Sequence, residues 1–581
     1  MNTVRQQLDR VFAEGFVELG LPEAAARIYP SERPELAHFQ CNGALQAAKA
    51  LEQSPLKVAE TIVGHLQPAL GWAHLSVAGP GFVNVVLGDE YLAEQLNLML
   101  RDERLGCAMV ERPKRLCLDF GGPNLAKPLH VGHLRSGIIG DSLQRLNRFV
   151  GHTVTSDVHL GDWGTQMGMV ICGIRREQPE LPYFDEGFSG PYPDVSPVSV
   201  SDLERIYPVQ SSLCKADGQE MAAALLATRE LQAGRPGYRA LWQHFMLISV
   251  ASAKAMYDRL GIHFDLWDGE STVNDRIPPM LEKLRRSGQA VMSEGALIIP
   301  LSSPPPLLLE KSDGAYLYAT TDLATLEARL ERGETAIHYV VDKRQELHFR
   351  QLFEAAHLTH MVSDDIDLQF HGYGTANGPD GKPFKSRDGG VMRLEELIRL
   401  VEVRAAARLD ELEIAKEYPQ AEREQIVQDV ATASLKFADL INNKTSDYSF
   451  DLDRFTSFEG KTGPYLLYTA VRARSVLRTA GPLIAEPWEI AGISEFERSL
   501  LVLATGLPET VAGAATASAP HLLCEYAFRI SQEYNRFYQR CNILHDADPD
   551  RQRSWLAITR LLLLQLELLC GLIGLPVPER M

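Results

Sequence analysis

Hydrophobic and polar positions follow two distinct rhythms along the chain. Near the N-terminus Leu8, Val11, Phe12, Phe16 and Leu19 recur at helical spacing and Ala44 to Leu51 repeats the pattern, which predicts two helices. Leu75 to Leu87 alternates with a period of two around Gly79-Pro80-Gly81, which predicts strands joined by a turn. Beyond the charged, turn-rich stretch Arg101 to Lys114, Arg115-Leu-Cys-Leu-Asp-Phe120 reads as a short apolar strand and residues 121–128 as a loop. Leu129 to Val150 then reads as a long helix with Leu134, Ile138, Leu143, Leu146 and Phe149 on one face. Strand, glycine-containing loop and helix in that order open a nucleotide-binding α/β sheet. Residues 181–200 crowd Pro, Gly and Ser and predict an exposed loop within an insertion. Strand and helix patterns resume near Ala296–Pro300, Tyr316–Tyr318, His338–Val341 and Leu368–His371. From Leu394 onward almost every segment is helical, so an α-helical C-terminal domain is expected on an α/β core.

Composition narrows the class. A chain of 581 residues accommodates three or four domains of about 150 residues. Hydrophobic residues at 45% and charged residues at 23% are globular values and exclude wholesale disorder or a fibrous chain. The net charge of −18 argues against a surface coated in basic charge, but leaves room for local basic tracts. The eight cysteines are dispersed without a Cys-x-x-Cys pair, which points to a reducing cytoplasm and against protein-bound zinc. The N-terminal residues lack the apolar core of a signal peptide. Leu561 to Leu575 is interrupted by Gln565 and Glu567 and preceded by Arg560, short of the ~20 residues that span a bilayer, so a buried bundle helix and no membrane association are expected.

Two clusters carry chemistry. Lys127-Pro-Leu-His130-Val-Gly-His133 falls where the loop becomes the long helix, and a helix start offers unpaired N–H groups and the positive end of the macrodipole to a triphosphate. His130 and His133 lie about one turn apart, Gly132 removes a side chain where a base or phosphate would approach, and Lys127 adds a full positive charge. His-x-Gly-His arises by chance only about 0.03 times in a chain of this composition. A metal site is the rival, since His152 and His159 are near, but no carboxylate or cysteine stands at a recognisable ligand spacing, so no metal ligands are expected. The second cluster, Gly381 to Gly390, has with its flanks the cations Lys382, Lys385, Arg387 and Arg393 against the anions Asp380 and Asp388. A mobile cationic loop suits the departure of pyrophosphate, and a solvated basic turn is the alternative.

Together the two clusters resemble the signature motifs of class I aminoacyl-tRNA synthetases. Asp119 to Asp141, His159 to Gln166, Asp313 to Asp322, Gln345 to His348, Asp447 to Asp451 and Val577 to Met581 further resemble the arginyl-tRNA synthetase family, over nearly the whole length. The resemblance implies a Rossmann-like class I catalytic core with an insertion, an N-terminal α+β domain and a C-terminal α-helical bundle. The corresponding boundaries are an N-terminal tRNA-binding domain at 1–110 and a catalytic domain at 111–393 with an insertion at roughly 175–310. A helical connecting region at 394–460 and an anticodon-binding domain at 461–581 follow. It implies ATP-dependent attachment of L-arginine to tRNA(Arg) through arginyl-adenylate, with ATP and Mg2+ as co-substrate, in a cytoplasmic monomer. His130, Gly132, His133, Lys382, Lys385 and Ser386 would hold ATP, and His130, His133, Lys127 and Lys385 would stabilise the adenylation transition state. Asp119, Asn124, Tyr318, Asp322 and Gln345 would hold arginine, whose guanidinium is a planar fork of donors that carboxylates and an aromatic hydroxyl can match. Phe39, Gln40 and Asn42 would read the tRNA elbow, and Arg529, Arg536 and Tyr538 the anticodon side, with Tyr534 and Phe537 as further flat faces and Arg540 as a further cation; aromatic residues at helical spacing are more often core, which is the alternative for these rings.

Departures are informative. The second motif reads Lys382-Pro-Phe-Lys385-Ser386-Arg387: one register equates the two lysines with the family's, and the other aligns Ser386-Arg387 and leaves Lys127 to substitute. Gly121-Gly122 replaces a serine-containing dipeptide, and Ala37-His38 replaces Gly-Asp before the elbow segment. Two other readings use the same residues: a paralogue activating arginine or an analogue for antibiotic synthesis or resistance, and a non-catalytic tRNA-binding homologue.

Overall fold

The computed structural model describes all residues except 1, 34–35, 124–128, 313, 379, 383–391 and 482–487. Its contacts divide the chain into two compact units: Met1–Met109 with Leu412–Ala433 and Ser457–Met581, and Val110–Glu411 with Ser434–Thr456.

In the first unit the predicted N-terminal helix is Val4–Glu18, begun by a reciprocal capping box between Thr3 and Gln6, with Leu8, Phe12 and Phe16 buried along one side. The alternating segment forms the antiparallel strands Ala73–Ala78 and Phe82–Leu87 of a four-stranded sheet. The C-terminal part is a helical bundle of which Gly463–Ala480, Pro520–Arg540 and Pro549–Leu572 pack together. The last of these has 24 residues and is long and apolar enough to cross a membrane by length and composition, more than the residue count suggested, because its helix begins well before the apolar run. Leu561, Leu562, Leu566 and Leu569 are buried, as expected of a bundle core. Asn97 ties the N-terminal segment to the C-terminal one, giving and receiving hydrogen bonds with the backbone of Ile490 at 2.9 and 2.8 Å.

The second unit is built on a four-stranded parallel sheet ordered Asp367–Tyr373, Ala336–Asp342, Arg115–Phe120, Thr153–Asp157. The chain leaves Arg115–Phe120 toward one edge and Ala336–Asp342 toward the other, so a crevice opens between their carboxyl ends. An insertion carries the helices Val200–Ala216, Gly218–Gln232 and Pro236–Arg259 and a small antiparallel sheet over residues 291–310. One expectation changes. The stretch 181–200 is not wholly exposed, because Tyr183 and Phe184 are buried and Tyr183 stacks on Tyr192 and bonds His244. Near Tyr316–Tyr318 it is a helix that resumes: Tyr318 begins Tyr318–Glu331, which places Asp322 on the same face one turn on.

Candidate active site

The strand Arg115–Phe120 delivers Asp119 to the crevice and the chain then turns through Gly121 and Gly122 at φ values of +92° and +20°. A side chain at Gly121 would begin 2.9 Å from the ring of Phe264 and 3.1 Å from the Tyr257 hydroxyl, which explains why no serine stands there. The Gly121 N–H donates to Ser136 Oγ, which in turn donates to the carbonyl of Val340, fastening the turn to the neighbouring strand.

The motif helix runs Val131–Phe149 and His130 caps it. Gly132 N–H donates to His130 Nδ1 at 3.0 Å, and His130 N–H donates to His133 Nδ1 at 3.1 Å. The two rings lie 3.9 Å apart. Because Nδ1 accepts in both, the neutral form of each ring carries its proton on Nε2. The close approach at Gly132 comes from His130 itself, whose Cε1 would lie 2.7 Å from an added Cβ. Residues 392–394 run beside this helix start: Val131 N–H donates to Met392 O, Leu394 N–H to Leu129 O, and His130 bridges Arg393. Residues 392–394, which follow the second cluster in the sequence, therefore lie beside the two histidines. Arg393 is paired with Glu204 at 2.8 Å, so its charge is committed within the chain. Lys382 closes a turn, accepting at its carbonyl from Gly378 and donating its N–H to Asp380. Asn124, Lys127, Lys385 and Ser386 lie outside the described residues.

The motif helix is anchored by buried charges. Arg135 pairs with Asp439 at 3.0 Å and lies over the ring of Tyr448, whose hydroxyl donates to the same carboxylate. Asp141 accepts from Lys436 at 2.9 Å and from Arg145 at 3.0 Å.

On the other wall, Tyr318 is exposed at the start of its helix and Asp322 follows one turn later. Asp322 bonds His348 Nε2 at 2.6 Å, and this carboxylate raises the His348 pKa above the ordinary imidazole value. Gln345 is exposed at the end of the strand Ala336–Asp342. A side chain at Gly164 would begin 3.8 Å from the Tyr318 hydroxyl, so the segment 159–166 closes on the same wall. Behind it Glu270 is pushed up to about 7 by burial, with His159, Asp162 and Asp322 in its electrostatic surroundings.

Asp119 stands apart from this group. Its carboxylate accepts from Arg329 Nη2 at 2.6 Å, and the same nitrogen reaches Asp157 at 2.7 Å. Burial pushes the Asp119 carboxyl up while Arg329 opposes the shift. Asp119, Asp157 and His159 bring ligand atoms within 4.8 Å of one another, but the Arg329 guanidinium already bridges the two carboxylates and supplies the cation there. Arg329, His348, Glu270 and the Lys436–Asp141 pair were not anticipated. His348 was visible as part of Gln345-Glu-Leu-His348, whereas Arg329 carried no signal beyond a cation in the last turn of a helix.

The residues expected to meet tRNA fall in three places. Asn42 borders a depression of about 250 Å3 with Arg27, Tyr29 and Gln46. Gln40 is bonded to Asn84, and Phe39 is buried and lines, with Arg529, a separate cavity of about 710 Å3. On the helix Pro520–Arg540, Arg529, Arg536 and Arg540 are exposed and Arg536 is paired with Glu533. Tyr534 and Phe537 are 0% and 1% exposed and belong to the bundle core, so neither can stack on a base. Tyr538 is exposed, and Arg472 lies over its ring and that of Tyr468 at 5.0 and 4.7 Å, beside a cavity of about 400 Å3 that also includes Arg478, Arg580 and Met581.

Comparison with known proteins agrees with this layout. The family described as tRNA synthetases class I (R), catalytic domain, matches residues 95–452, the DALR anticodon binding domain residues 466–581, and the arginyl tRNA synthetase N terminal domain residues 2–87. Proteins named arginine–tRNA ligase from Alkaliphilus oremlandii and Francisella tularensis subsp. novicida are 42% and 43% identical, each over 100% of both chains. The arginyl-tRNA synthetase structures of Plasmodium falciparum and Thermus thermophilus share the fold, with TM-scores of 0.83 and 0.78 at 23% and 21% identity, again over 100% of both chains. With its catalytic half matched, and relatives alike from end to end, the chain belongs to the arginyl-tRNA synthetase family of class I aminoacyl-tRNA synthetases.

Proposed function

We propose that this chain is an arginine–tRNA ligase: it activates L-arginine with ATP and transfers the arginyl group to tRNA. The reading is supported above all by the paired imidazoles of His130 and His133, whose Nδ1 atoms accept from the backbone at the start of the motif helix and whose rings lie 3.9 Å apart. The arginine carboxylate attacks the α-phosphate in line, arginyl-adenylate forms and pyrophosphate leaves. The 2′-hydroxyl of the terminal adenosine of the tRNA then attacks the arginyl carbonyl, the bond from that carbonyl to the phosphate oxygen breaks, and AMP leaves. His130, His133 and the N–H groups of the helix start hold phosphate oxygens as charge shifts onto the leaving group, and Lys127, Lys382, Lys385 and Ser386 add to that field with Mg2+ accompanying the nucleotide. No covalent step on the protein is required.

Asp322 and Tyr318 take the guanidinium, while Asn124 and Gln345 orient the α-amino and carboxylate groups. Asp119 contributes through the fixed charge that it shares with Arg329. On the tRNA side, Tyr538 and Tyr468, with Arg472 between them, form a stacking platform for an unpaired base, and Asn42 faces the elbow.

Incorporation of labelled arginine into tRNA, run against a panel of amino acids, is the direct test. Arginine alone is expected to be charged, and His133→Ala to lower kcat by about 100-fold or more while folding normally. Unchanged aminoacylation by that variant would remove the histidines from the mechanism.

A further inference from the structure

We propose that His348 is a positioning and specificity residue for arginine, holding Asp322 in place and giving up a proton to solvent when the substrate guanidinium arrives. The inference rests on the reading of Asp322 as the carboxylate that takes the guanidinium.

Asp322 and His348 come from two different helices, Tyr318–Glu331 and Glu346–Leu358, and meet at 2.6 Å. The bond uses Oδ2 of the carboxylate and Nε2 of the ring, so Oδ1 is the oxygen left to meet a ligand. Phe349 packs edge-on against the ring at 5.2 Å and fixes its plane. The His348 side chain is 30% exposed, which gives its other nitrogen a route to water.

The electrostatics have a definite sign. In the empty site the ring donates to Asp322, and this hydrogen bond is the first cause of a raised pKa, so the imidazolium persists to higher pH than in a free histidine. Among the described residues Asp322 is the charged group that bears on His348. Asp322 is itself faced by Glu270 and by the phenol of Tyr339, with Asp162 and His159 beyond Glu270. An arriving guanidinium is a second cation on the same carboxylate. It disfavours the imidazolium, which loses the proton from Nδ1 and keeps the Nε2–H bond to Asp322. The orientation of the carboxylate survives while one positive charge is exchanged for another. Arginine affinity must then weaken as pH falls through the raised His348 pKa, by up to ~10-fold per pH unit. Glu270 titrates in the same direction near pH 7, so its share has to be separated.

The test is calorimetry of L-arginine binding to the full-length enzyme in buffers of different ionisation enthalpy, alongside the KM for arginine from about pH 8 to about pH 6. The variants are His348→Gln, which keeps a neutral donor near the Nε2 position, and Glu270→Gln. The unsubstituted enzyme is expected to release protons on binding and to show a KM that rises several-fold toward low pH, with kcat much less affected. His348→Gln should lose most of the release and flatten the KM profile, and Glu270→Gln should retain both. Proton release that persists in His348→Gln but disappears in Glu270→Gln overturns the proposal, as does a His348→Gln defect confined to kcat. Asp322→Asn separates the underlying reading: if it leaves the KM for arginine unchanged at every pH, Asp322 does not take the guanidinium and the site assignment itself fails.

Discussion

Single residues in this chain often serve the fold and the site through one contact. Gly121 combines a φ of +92° with a Cβ position 2.9 Å from Phe264, so Gly121→Ala is expected to cost about 1–3 kcal/mol and lower the Tm. A thermal scan with unchanged Tm would show that the turn can relax. His38 accepts from Leu87 N–H in the core, and burial with help from Arg498 lowers its pKa to about 4. The unfolded chain holds that proton up to about 6.5, so the neutral ring stabilises the fold fully above that value and progressively less as pH falls toward 4. About 3 kcal/mol is lost across this window. Denaturant titrations at several pH values should show His38→Asn, which keeps an acceptor, losing less stability over the same range. At this scale the sequence was legible where spacing alone carries the chemistry, as with His130 and His133. It was silent on Arg329, because nothing in a helical pattern marks which cation turns inward to bridge Asp119 and Asp157.

Elements were easier to find than their buried contents. Period and turn residues located the strand Arg115–Phe120 and the helix Val131–Phe149 within two residues of their observed limits. Such patterns sort apolar residues inward and charged residues outward, so they could not show that Arg135, Asp141, Lys436 and Asp439 are all 1% exposed or less. The arginines interleaved with Tyr534 and Phe537 suggested an RNA face for those rings, whereas the plain helical spacing of aromatic residues pointed to the core, where they lie. The motif helix consequently depends on ion pairs that water does not screen. Lys436→Met removes one cation from Asp141 and leaves Arg145 alone to balance it, which should destabilise the protein by about 3–5 kcal/mol in equilibrium unfolding. A loss below about 1 kcal/mol would place the pair among dispensable contacts.

On the scale of the whole molecule, the charge of −18 means that tRNA must be held by a few cationic patches against general repulsion. Arg529 and Arg540, exposed on the helix Pro520–Arg540, and Arg472 and Arg478 beside one cavity are such patches, while Arg536 and Arg580 are paired with Glu533 and Glu422. The KM for tRNA should accordingly rise at least ~10-fold between about 50 and 200 mM salt, while the KM for arginine changes little. Equal salt sensitivity for both substrates would contradict this account. The reciprocal bonds between Asn97 and Ile490 join positions 393 residues apart. A ribosome adding about 5–20 residues per second needs about 20–80 s to travel between them. Through that interval the nascent N-terminal segment has its own sheet but not its docking partner, so a chain that stalls in the catalytic region would expose that seam to proteases and chaperones.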